Sequence, residues 1–314
     1  MTTSAAIGHG VSVVVPVYNG SQSLRTLVER VKQVMDRQTD DWEIILVNDG
    51  SSDLSWSRIT QLAGQDERVR GIDLMRNYGQ HNALLVGIRA ARFDVIVTMD
   101  DDLQNPPEEI PRLLGRLSEG FDVVYGTPVR EQHGLFRNLA SRVTKLALRS
   151  VMGAETARSV SAFRAFRTVA RDAFATYQGP FVSIDVLLTW STKRFSSVTT
   201  RQDSREFGKS NYTFRMLVVH ALNMLTGFSS LPLQMASVLG IGSSLFGLSL
   251  LVYVLARYAR QGRVVPGFAF LACVVTTLSG TQLFALGIIG EYLARIHFRT
   301  MDKPAYTVRQ TTHR

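Results

Sequence analysis

The chain reads VIVTMDDDLQNPPE from Val95 to Glu108, and this stretch indicates both a fold and a site. Its apolar, β-branched start is typical of a buried strand. Pro107 fits the first turn of a following helix, because its missing N–H has no partner there. Three carboxylates therefore lie where a strand ends and a turn begins, and ligands of open parallel α/β sheets bind at that edge.

The charges of Asp100, Asp101 and Asp102 repel one another unless a cation or hydrogen-bond donors offset them. Hard oxygen ligands suit Mg²⁺ or Mn²⁺, which can also hold a substrate phosphate. We therefore interpret the stretch as a metal–diphosphate site. The alternative is an acidic N-cap for the following helix, because Asp is favoured there and near the positive end of the helix dipole.

Three strand–turn–helix units precede this stretch. Their strands are predicted by the apolar runs Val11–Val17, Glu43–Val47 and Val69–Met75. Strands that alternate with helices predict βαβ units and a parallel sheet with right-handed crossovers. The polar residues after each strand would then gather on one rim, with Asp49 after the second strand and Asp100 after the fourth.

Two carboxylate groups on one rim can serve two parts of one nucleotide. Asp49 can accept hydrogen bonds from a base or ribose. The aspartates after the fourth strand can bind a metal ion that in turn binds the diphosphate. The sequence contains neither G-x-G-x-x-G after the first strand nor G-x-x-x-x-G-K-[ST]. Dinucleotide enzymes and P-loop NTPases are therefore disfavoured.

Two segments near the C-terminus, Met235–Ala256 and Phe268–Ile289, contain no charged residue in 22 positions each. As helices they are about 33 Å long, against about 30 Å for the hydrocarbon core of a bilayer. We therefore expect two membrane-spanning helices. The alternative is a buried hairpin in a soluble core.

The composition agrees with a membrane-bound protein of about two domains. Of 314 residues, 45% are hydrophobic, and 35 Lys and Arg against 26 Asp and Glu give a net charge of +9. A net positive charge favours the binding of nucleic acid, anionic lipid or phosphorylated substrates. With two spans the lipid bilayer is the expected partner, and nucleic acid is not. Residues 1–9 lack the pattern of a secretory signal, and the single Cys273 excludes an internal disulfide.

Four motifs occur in one order: VVVPVYNG (13–20), ILVNDGSSD (45–53), RNYGQHNALLVGI (76–88) and MDDDLQNPPEEIP (99–111). Together they resemble the family 2 glycosyltransferases with a GT-A fold. More narrowly, they resemble the bacterial polyprenyl-phosphate glycosyltransferases, a group with dolichyl-phosphate mannose synthase, GtrB-type and undecaprenyl-phosphate aminoarabinose (formamido-arabinose) transferases. REFGKSNY (205–212) and the two apolar segments extend the resemblance to about Tyr306.

The resemblance implies an α/β, GT-A (Rossmann-like nucleotide-diphospho-sugar transferase) catalytic domain over residues 1–212. An interfacial amphipathic helix is expected over 213–231, and two transmembrane helices within 232–293, at about 235–256 and 268–289. Residues 294–314 form a C-terminal tail. We expect a multi-pass protein of the plasma (inner) membrane, with the catalytic domain and tail in the cytoplasm.

The resemblance also assigns roles within the nucleotide site. By this resemblance, Pro16, Tyr18 and Asn19 line the nucleotide pocket, and Asp49 recognises the base. Asp100 lies beside the ribose and the metal. Asp102 and Gln104 bind the metal directly. The sequence departs from the family pattern at Gly20, where Glu is frequent, and at Asp101, where Ala is common. It also departs at Asn48 and at Arg158, which stand where the family commonly has Asp.

A phosphate monoester has a second pKa near ~6, so at neutral pH it is already an anionic nucleophile. Such an acceptor needs positioning and charge compensation, which Arg205 and Lys209 of REFGKSNY would supply. The alternative is a merely solvated loop. Asp185 is the remaining carboxylate that assists, unless it caps or pairs structurally. A basic amphipathic helix is predicted over Gly134–Met152, facing either lipid or solvent.

The resulting hypothesis is an inverting glycosyltransferase that moves a sugar from a UDP-linked donor to polyprenyl (undecaprenyl) phosphate. Related enzymes imply a homo-tetramer, and small residues of the first span permit close helix contacts. One alternative is a processive polysaccharide synthase, although the sequence lacks the Q-x-x-R-W signature and further spans. Another is a membrane scaffold or translocation partner that has lost the chemistry, against which the retained Asp49, Asp100, Asp102 and Gln104 argue.

Overall fold

Eight strands form one sheet in the part of the chain that the structure describes. The structure is a computed structural model and describes residues 10–128, 159–179, 182–203, 230–261, 268–301 and 303–312. The chain divides into two compact units, one of residues 1–221 with 303–314 and the other of residues 222–302. The sheet lies in the first unit.

The strands are β1 (Val11–Val17), β2 (Trp42–Asn48), β3 (Val69–Leu74), β4 (Val95–Thr98), β5 (Val123–Pro128), β6 (Arg164–Arg167), β7 (Phe195–Thr200) and β8 (Val308–Thr311). The helices of the same unit are α1 (Leu24–Met35), α2 (Ser55–Ala63), α3 (Gln80–Ala90), α4 (Ile110–Ser118) and α5 (Ile184–Thr189). Short 3₁₀ helices cover Pro107–Glu109 and Thr168–Phe174. The second unit contains α6 (Leu231–Gln261) and α7 (Phe268–Thr300).

The strand order is β7-β5-β6-β4-β1-β2-β3-β8. The four predicted βαβ strands, β1 to β4, are parallel as expected. The sheet as a whole is mixed, because β6 runs antiparallel to β4 and β5, and β8 runs antiparallel to β3. The prediction of a parallel sheet is therefore wrong at β6 and β8. These two strands do not belong to the βαβ units of β1 to β4, in which a helical crossover makes consecutive strands parallel.

Side chains alternate along the strands, so the apolar residues of each strand lie on both faces of the sheet. Helices cover both of these faces. Val13, Val15 and Val17 pack with α1 on one face, and Val14 packs with α3 on the other. One face of α1 is apolar and packs against the sheet, since Leu24, Leu27, Val28, Val31 and Val34 are all buried. This two-sided burial leaves the rim at the strand ends as the place where polar side chains gather.

The second unit consists of two long apolar helices. Within the described residues, one helix, Pro232–Arg257, is long and apolar enough to cross a membrane, with a mean hydropathy of 2.1. The other predicted span, Phe268–Ile289, lies within the helical residues of α7. The predicted helix over Gly134–Met152 and residues 213–229 of the predicted interfacial helix lie outside the described residues.

Candidate functional site: a donor site at the strand ends

Three neighbouring parallel strands end at the candidate site. Strand β1 lies between β2 and β4, with Val17 opposite Asn48 and Val14 opposite Thr98. Adjacent strands are about 4.8 Å apart, so the ends of β2 and β4 are separated by about 10 Å. The residues that follow these strands, Asp49 and Asp100 among them, therefore share one rim, as the sequence predicts.

Asp49 holds the loop that follows β3. Its two carboxylate oxygens accept the backbone N–H groups of Tyr78 at 2.7 Å and Gly79 at 2.8 Å. The side chain is buried, and this burial raises the pKa of Asp49 while the two hydrogen bonds act in the opposite direction. Each carboxylate oxygen has a second lone pair, so acceptor capacity remains for a nucleobase.

Asp100 is connected to the same loop. The Nε2 of Gln80, the first residue of α3, donates to Asp100 Oδ1 at 2.6 Å. Residues 76–80 thus run from the side chain predicted to recognise the base to the side chain predicted to lie by the metal. We call residues 76–80 the donor loop. No individual role was predicted for these residues of the second half of the nucleotide site, although their polar character directly after a strand was an available signal.

Asp101 lies against Gly20. Its Oδ2 is buried and has no hydrogen-bond partner among the described residues. A Cβ added at Gly20 would collide with this oxygen, so the absence of a side chain there makes room for the carboxylate. Burial raises the pKa of Asp101 to about 7, with further contributions from the charges of Asp100 and Asp102. The backbone N–H groups of Tyr18 and of Asp101 itself act in the opposite direction.

Asp102 and Gln104 are held by a strained turn. Asp102 Oδ1 accepts the backbone N–H of Gln104 at 3.1 Å. Leu103 between them is buried and has a φ of 58°, a conformation that costs a non-glycine residue free energy. The carbonyl of Gln104 accepts the N–H of Asp203 at 2.9 Å, which ties the turn to the segment after β7.

The residues of this turn fit a hard divalent cation that is coordinated by both the protein and a diphosphate. Within the described residues, no three His, Cys, Asp or Glu side chains form a preformed metal cage. Mg²⁺ is usually held by one or two carboxylates together with substrate phosphates, so such a cage is not required. The buried oxygen of Asp101, which has no hydrogen-bond partner among the described residues, is compatible with a cation bound beside this turn.

The residues at the end of β1 differ in exposure. Pro16 is buried within the strand opposite Val47, whereas the side chain of Tyr18 is 47% exposed. Asn19 has a φ of 55° and its Oδ1 accepts the N–H of Ser52 at 2.9 Å. Tyr18 is thus the predicted pocket residue whose ring is available to a ligand.

Asp185 lies in a buried ion pair with Arg164. The Tyr125 hydroxyl donates to Asp185 Oδ1 at 3.2 Å, and Arg164 Nε donates to Thr98 Oγ1 at 3.1 Å. Thr98 ends β4, so this cluster supports the strand that carries Asp100. The geometry favours the structural alternative for Asp185 over a catalytic one. Arg158, Arg205 and Lys209 lie outside the described residues.

Comparisons with known proteins identify the family. Residues 12–175 match the family described as Glycosyl transferase family 2. The chain is also 35% identical over 306 residues to the undecaprenyl-phosphate 4-deoxy-4-formamido-L-arabinose transferase of Salmonella choleraesuis (strain SC-B67), a match that covers 96% of this chain and 94% of the relative. This protein is a family 2 glycosyltransferase. The resemblance read from the motifs is therefore confirmed.

A second relative gives the same result. This glycosyltransferase is 36% identical over 304 residues to the protein of the same name from Pectobacterium carotovorum subsp. carotovorum (strain PC1), over 96% of this chain and 93% of the relative. Such coverage includes the two long helices as well as the sheet. The predicted enzyme class, a sugar transferase, is confirmed by both relatives and by the family match.

Solved structures show the fold. Glucosyl-3-phosphoglycerate synthase from Mycobacterium tuberculosis, in complex with Mn²⁺, UDP and glucosyl-3-phosphoglycerate, has a TM-score of 0.53 and 20% identity over 70% of this chain and 78% of its own. Its complex with Mn²⁺, UDP-glucose and phosphoglyceric acid gives a TM-score of 0.53 over 70% and 79%. The glycosyltransferase therefore has the predicted GT-A, Rossmann-like fold with a mixed sheet.

Proposed function

We propose that the protein transfers a sugar from a UDP-linked donor to undecaprenyl phosphate, with inversion at the anomeric carbon. The product is a lipid-linked sugar for a cell-envelope glycan or for lipid modification. The observation that carries the proposal is the donor loop, which joins Asp49 to Asp100 across one rim of the sheet. Support for the acceptor comes from the names of the relatives, which match over 96% of the chain.

Asp102 and Gln104, with Asp100 in support, would hold Mg²⁺ or Mn²⁺ in this proposal. The ion supplies positive charge to the departing diphosphate, which is the main difficulty of the transfer. Asp49 would bind the base through its remaining lone pairs, and Tyr18 would pack against the nucleotide. Support comes from the strained turn at Leu103 and from the Asp101 oxygen that has no hydrogen-bond partner among the described residues.

The acceptor phosphate would be held by Arg205 and Lys209. Arg205 is two residues after Asp203 in the sequence, and Asp203 donates its N–H to the carbonyl of Gln104. A phosphate monoester is anionic at neutral pH and needs no general base, so in-line attack by its oxygen gives inversion in a single displacement.

Helices α6 and α7 would both cross the bilayer, which makes the protein a multi-pass protein of the plasma (inner) membrane. The first unit contains residues 1–221 and also residues 303–314, so the chain must leave this unit and return to it. A folded unit lies on one side of a membrane, and the number of crossings between these segments is therefore even. If Pro232–Arg257 crosses once, α7 provides the return.

The remaining predictions also belong to this proposal. The first unit would lie in the cytoplasm, where nucleotide sugars are supplied, and the bilayer and lipid acceptor would be its partners. Gly240, Gly242 and Gly247 of α6 have open space where a Cβ would stand, which is compatible with helix contacts between copies. A homo-tetramer stays a prediction, and the mass of the detergent-solubilised particle tests it.

The decisive experiment uses the purified full chain with undecaprenyl phosphate, Mn²⁺ and a panel of labelled UDP-sugars. We expect a chloroform-extractable labelled product with one of the donors. Asp102→Ala and Gln104→Ala should each abolish metal-dependent transfer. Asp40→Ala is the matched control, because Asp40 is exposed and precedes β2 at the opposite end of the strand. Full activity of both site variants would overturn the assignment of ligands.

The same experiment separates the alternatives. A long polysaccharide in place of a one-sugar lipid would indicate a processive synthase. Absence of product with every donor, in a protein that is folded and in membranes, would indicate a scaffold that has lost the chemistry. Either result would replace the proposed transferase activity.

A further inference from the structure

The C-terminal segment, residues 306–312, packs beside the donor loop within the first unit. Its strand β8 pairs with the edge strand β3, with Ile72 opposite Thr311 and Leu74 opposite Val308. The pairing continues past the strand, because the N–H of Thr312 donates to the carbonyl of Gly71 at 3.0 Å and the N–H of Gly71 donates to Thr312 Oγ1 at 2.8 Å. The segment therefore closes one edge of the sheet.

The contacts of this segment extend from β3 into the donor loop. The N–H of Met75 donates to the carbonyl of Thr307 at 3.0 Å, and Arg309 Nη2 donates to the carbonyl of Met75 at 2.9 Å. Both backbone polar groups of the residue before the donor loop are thus bound by the C-terminal segment. A displacement of Met75 would therefore also displace the donor loop, which begins at the next residue.

Tyr78 is the second point of attachment. The side chain and backbone of Thr307, together with Arg76, lower the pKa of Tyr78. The backbone N–H of the same tyrosine donates to Asp49. On the other side of the loop, a Cβ at Gly50 would collide with the backbone of Arg76 and Asn77, so the loop is closely packed there. One residue therefore links Thr307 to Asp49.

A third contact reaches the helix that begins with Gln80. Arg89 of α3 donates from Nη1 to the Tyr306 hydroxyl at 3.2 Å, and its guanidinium lies 5.7 Å from the centre of the Tyr306 ring. Gln80, at the start of α3, donates to Asp100. The C-terminal segment consequently touches the elements that hold both ends of the proposed donor site.

We propose that residues 306–309 are a positioning element of the donor site, which acts by fixing the donor loop that orients Asp49 and Asp100. Thr307 and Arg309 are positioning residues in this sense, and neither needs to touch the donor. The inference rests on the proposed function, because it assigns the loop to a nucleotide donor. It adds that the end of the chain, which follows α7, helps to set the affinity for the nucleotide.

Two threonines of the segment provide a matched comparison. Thr307 contacts the donor loop through Tyr78, whereas Thr312 contacts the middle of β3 through Gly71. Thr307→Val and Thr312→Val each remove one hydroxyl from the same edge segment. A general loss of stability affects both variants, but a positioning role affects only the first. Thr307→Ser keeps the hydroxyl and serves as the rescue.

The test measures binding of UDP in the presence of Mn²⁺ to the full chain in detergent, by calorimetry. We expect Thr307→Val and Arg309→Ala each to weaken UDP binding about fivefold, the equivalent of one hydrogen bond. Thr312→Val and Thr307→Ser should bind as the wild type does. In transfer assays the KM for the UDP-sugar should rise in the first two variants, while the KM for the lipid acceptor stays the same.

The outcomes distinguish the two proposals. Failure of the wild type to bind UDP with Mn²⁺ would overturn the proposed function, and this inference with it. Binding by the wild type with equal affinity in Thr307→Val, Arg309→Ala and Thr312→Val would overturn the inference alone. A loss of UDP affinity in Thr312→Val as large as that in Thr307→Val would show that the segment acts only through stability, and would also overturn it.

Discussion

Three consecutive aspartates occupy three different environments. Asp100 accepts a hydrogen bond from Gln80, Asp101 packs over Gly20 with an oxygen that lacks a partner among the described residues, and Asp102 accepts the N–H of Gln104. The differences arise because the strand ends at Thr98 and successive side chains of the turn point in different directions. The middle aspartate is therefore coupled sterically to the loop after β1.

Gly20→Ala tests this coupling. The added methyl group overlaps Asp101 Oδ2, so we expect the free energy of unfolding to fall by about 1–3 kcal/mol. In an Asp101→Ala background the same substitution should cost much less, because the obstructing carboxylate is gone. Chemical unfolding of the four proteins of this double-mutant cycle measures the interaction.

Gly115→Ala is the control for this cycle. Gly115 lies in α4, and a Cβ there would meet nothing within 4 Å. Alanine favours a helix over glycine by about 1 kcal/mol, so this variant should be as stable as the wild type or more so. If Gly20→Ala costs the same stability with and without Asp101, the two residues are independent and the proposed coupling is wrong.

The residue-scale contacts were only partly predictable. The presence of Asp49 and Asp100 on one rim follows from the βαβ pattern, which places the ends of parallel strands together. The contact between Gln80 and Asp100 spans 20 residues of sequence and depends on side-chain direction. The same is true of Gly20 and Asp101, two departures from the family pattern that meet only in the folded chain.

Elements around β4 are joined by one buried cluster. Arg164 of β6 lies between Thr98 of β4 and Asp185 of α5, and Tyr125 of β5 donates to the same aspartate. A buried charge is costly unless it is paired and hydrogen-bonded, so the cluster depends on both partners. Its function at this scale is to fix the strand end that leads into the aspartate turn.

Asp185→Ala should therefore destabilise the fold. Removal of one partner of a buried ion pair costs about 3–5 kcal/mol, because the other charge remains buried. Arg164→Met combined with Asp185→Leu should recover much of this loss, since no charge is left unpaired. Thermal unfolding of the full chain gives the comparison. An unchanged unfolding temperature together with a large fall in kcat would instead support a catalytic role for Asp185.

At the element scale, the strongly periodic segments were predictable and the edge was not. The apolar stripe of α1 and the β-branched run of β1 carry clear signals. Strand β8 reads VRQT and is exposed along its length, so neither alternation nor hydrophobicity marks it. Its position is set by the unpaired edge of β3, which is a property of the folded sheet.

On the scale of the whole molecule, β8 also constrains the topology. The strand belongs to the same sheet as β1, so the chain returns after α7 to the folded unit that it left before α6. A single crossing would place the end of the chain on the opposite side from its own sheet. The proposed pair of crossings, by α6 and α7, is compatible with both the sheet and the apolar lengths of the helices.

Labelling with a membrane-impermeant maleimide tests this topology in intact spheroplasts. Cys273→Ser removes the single natural cysteine, and Gly262→Cys or Lys303→Cys then introduces one label site each. We expect the cysteine at position 262 to react from outside and the one at position 303 to react only after lysis. This pattern follows because position 303 is joined to the sheet through β8 while position 262 lies between the two helices. Equal labelling of both positions before lysis would contradict two crossings, and it would require the hairpin of α6 and α7 to lie on one side of the membrane.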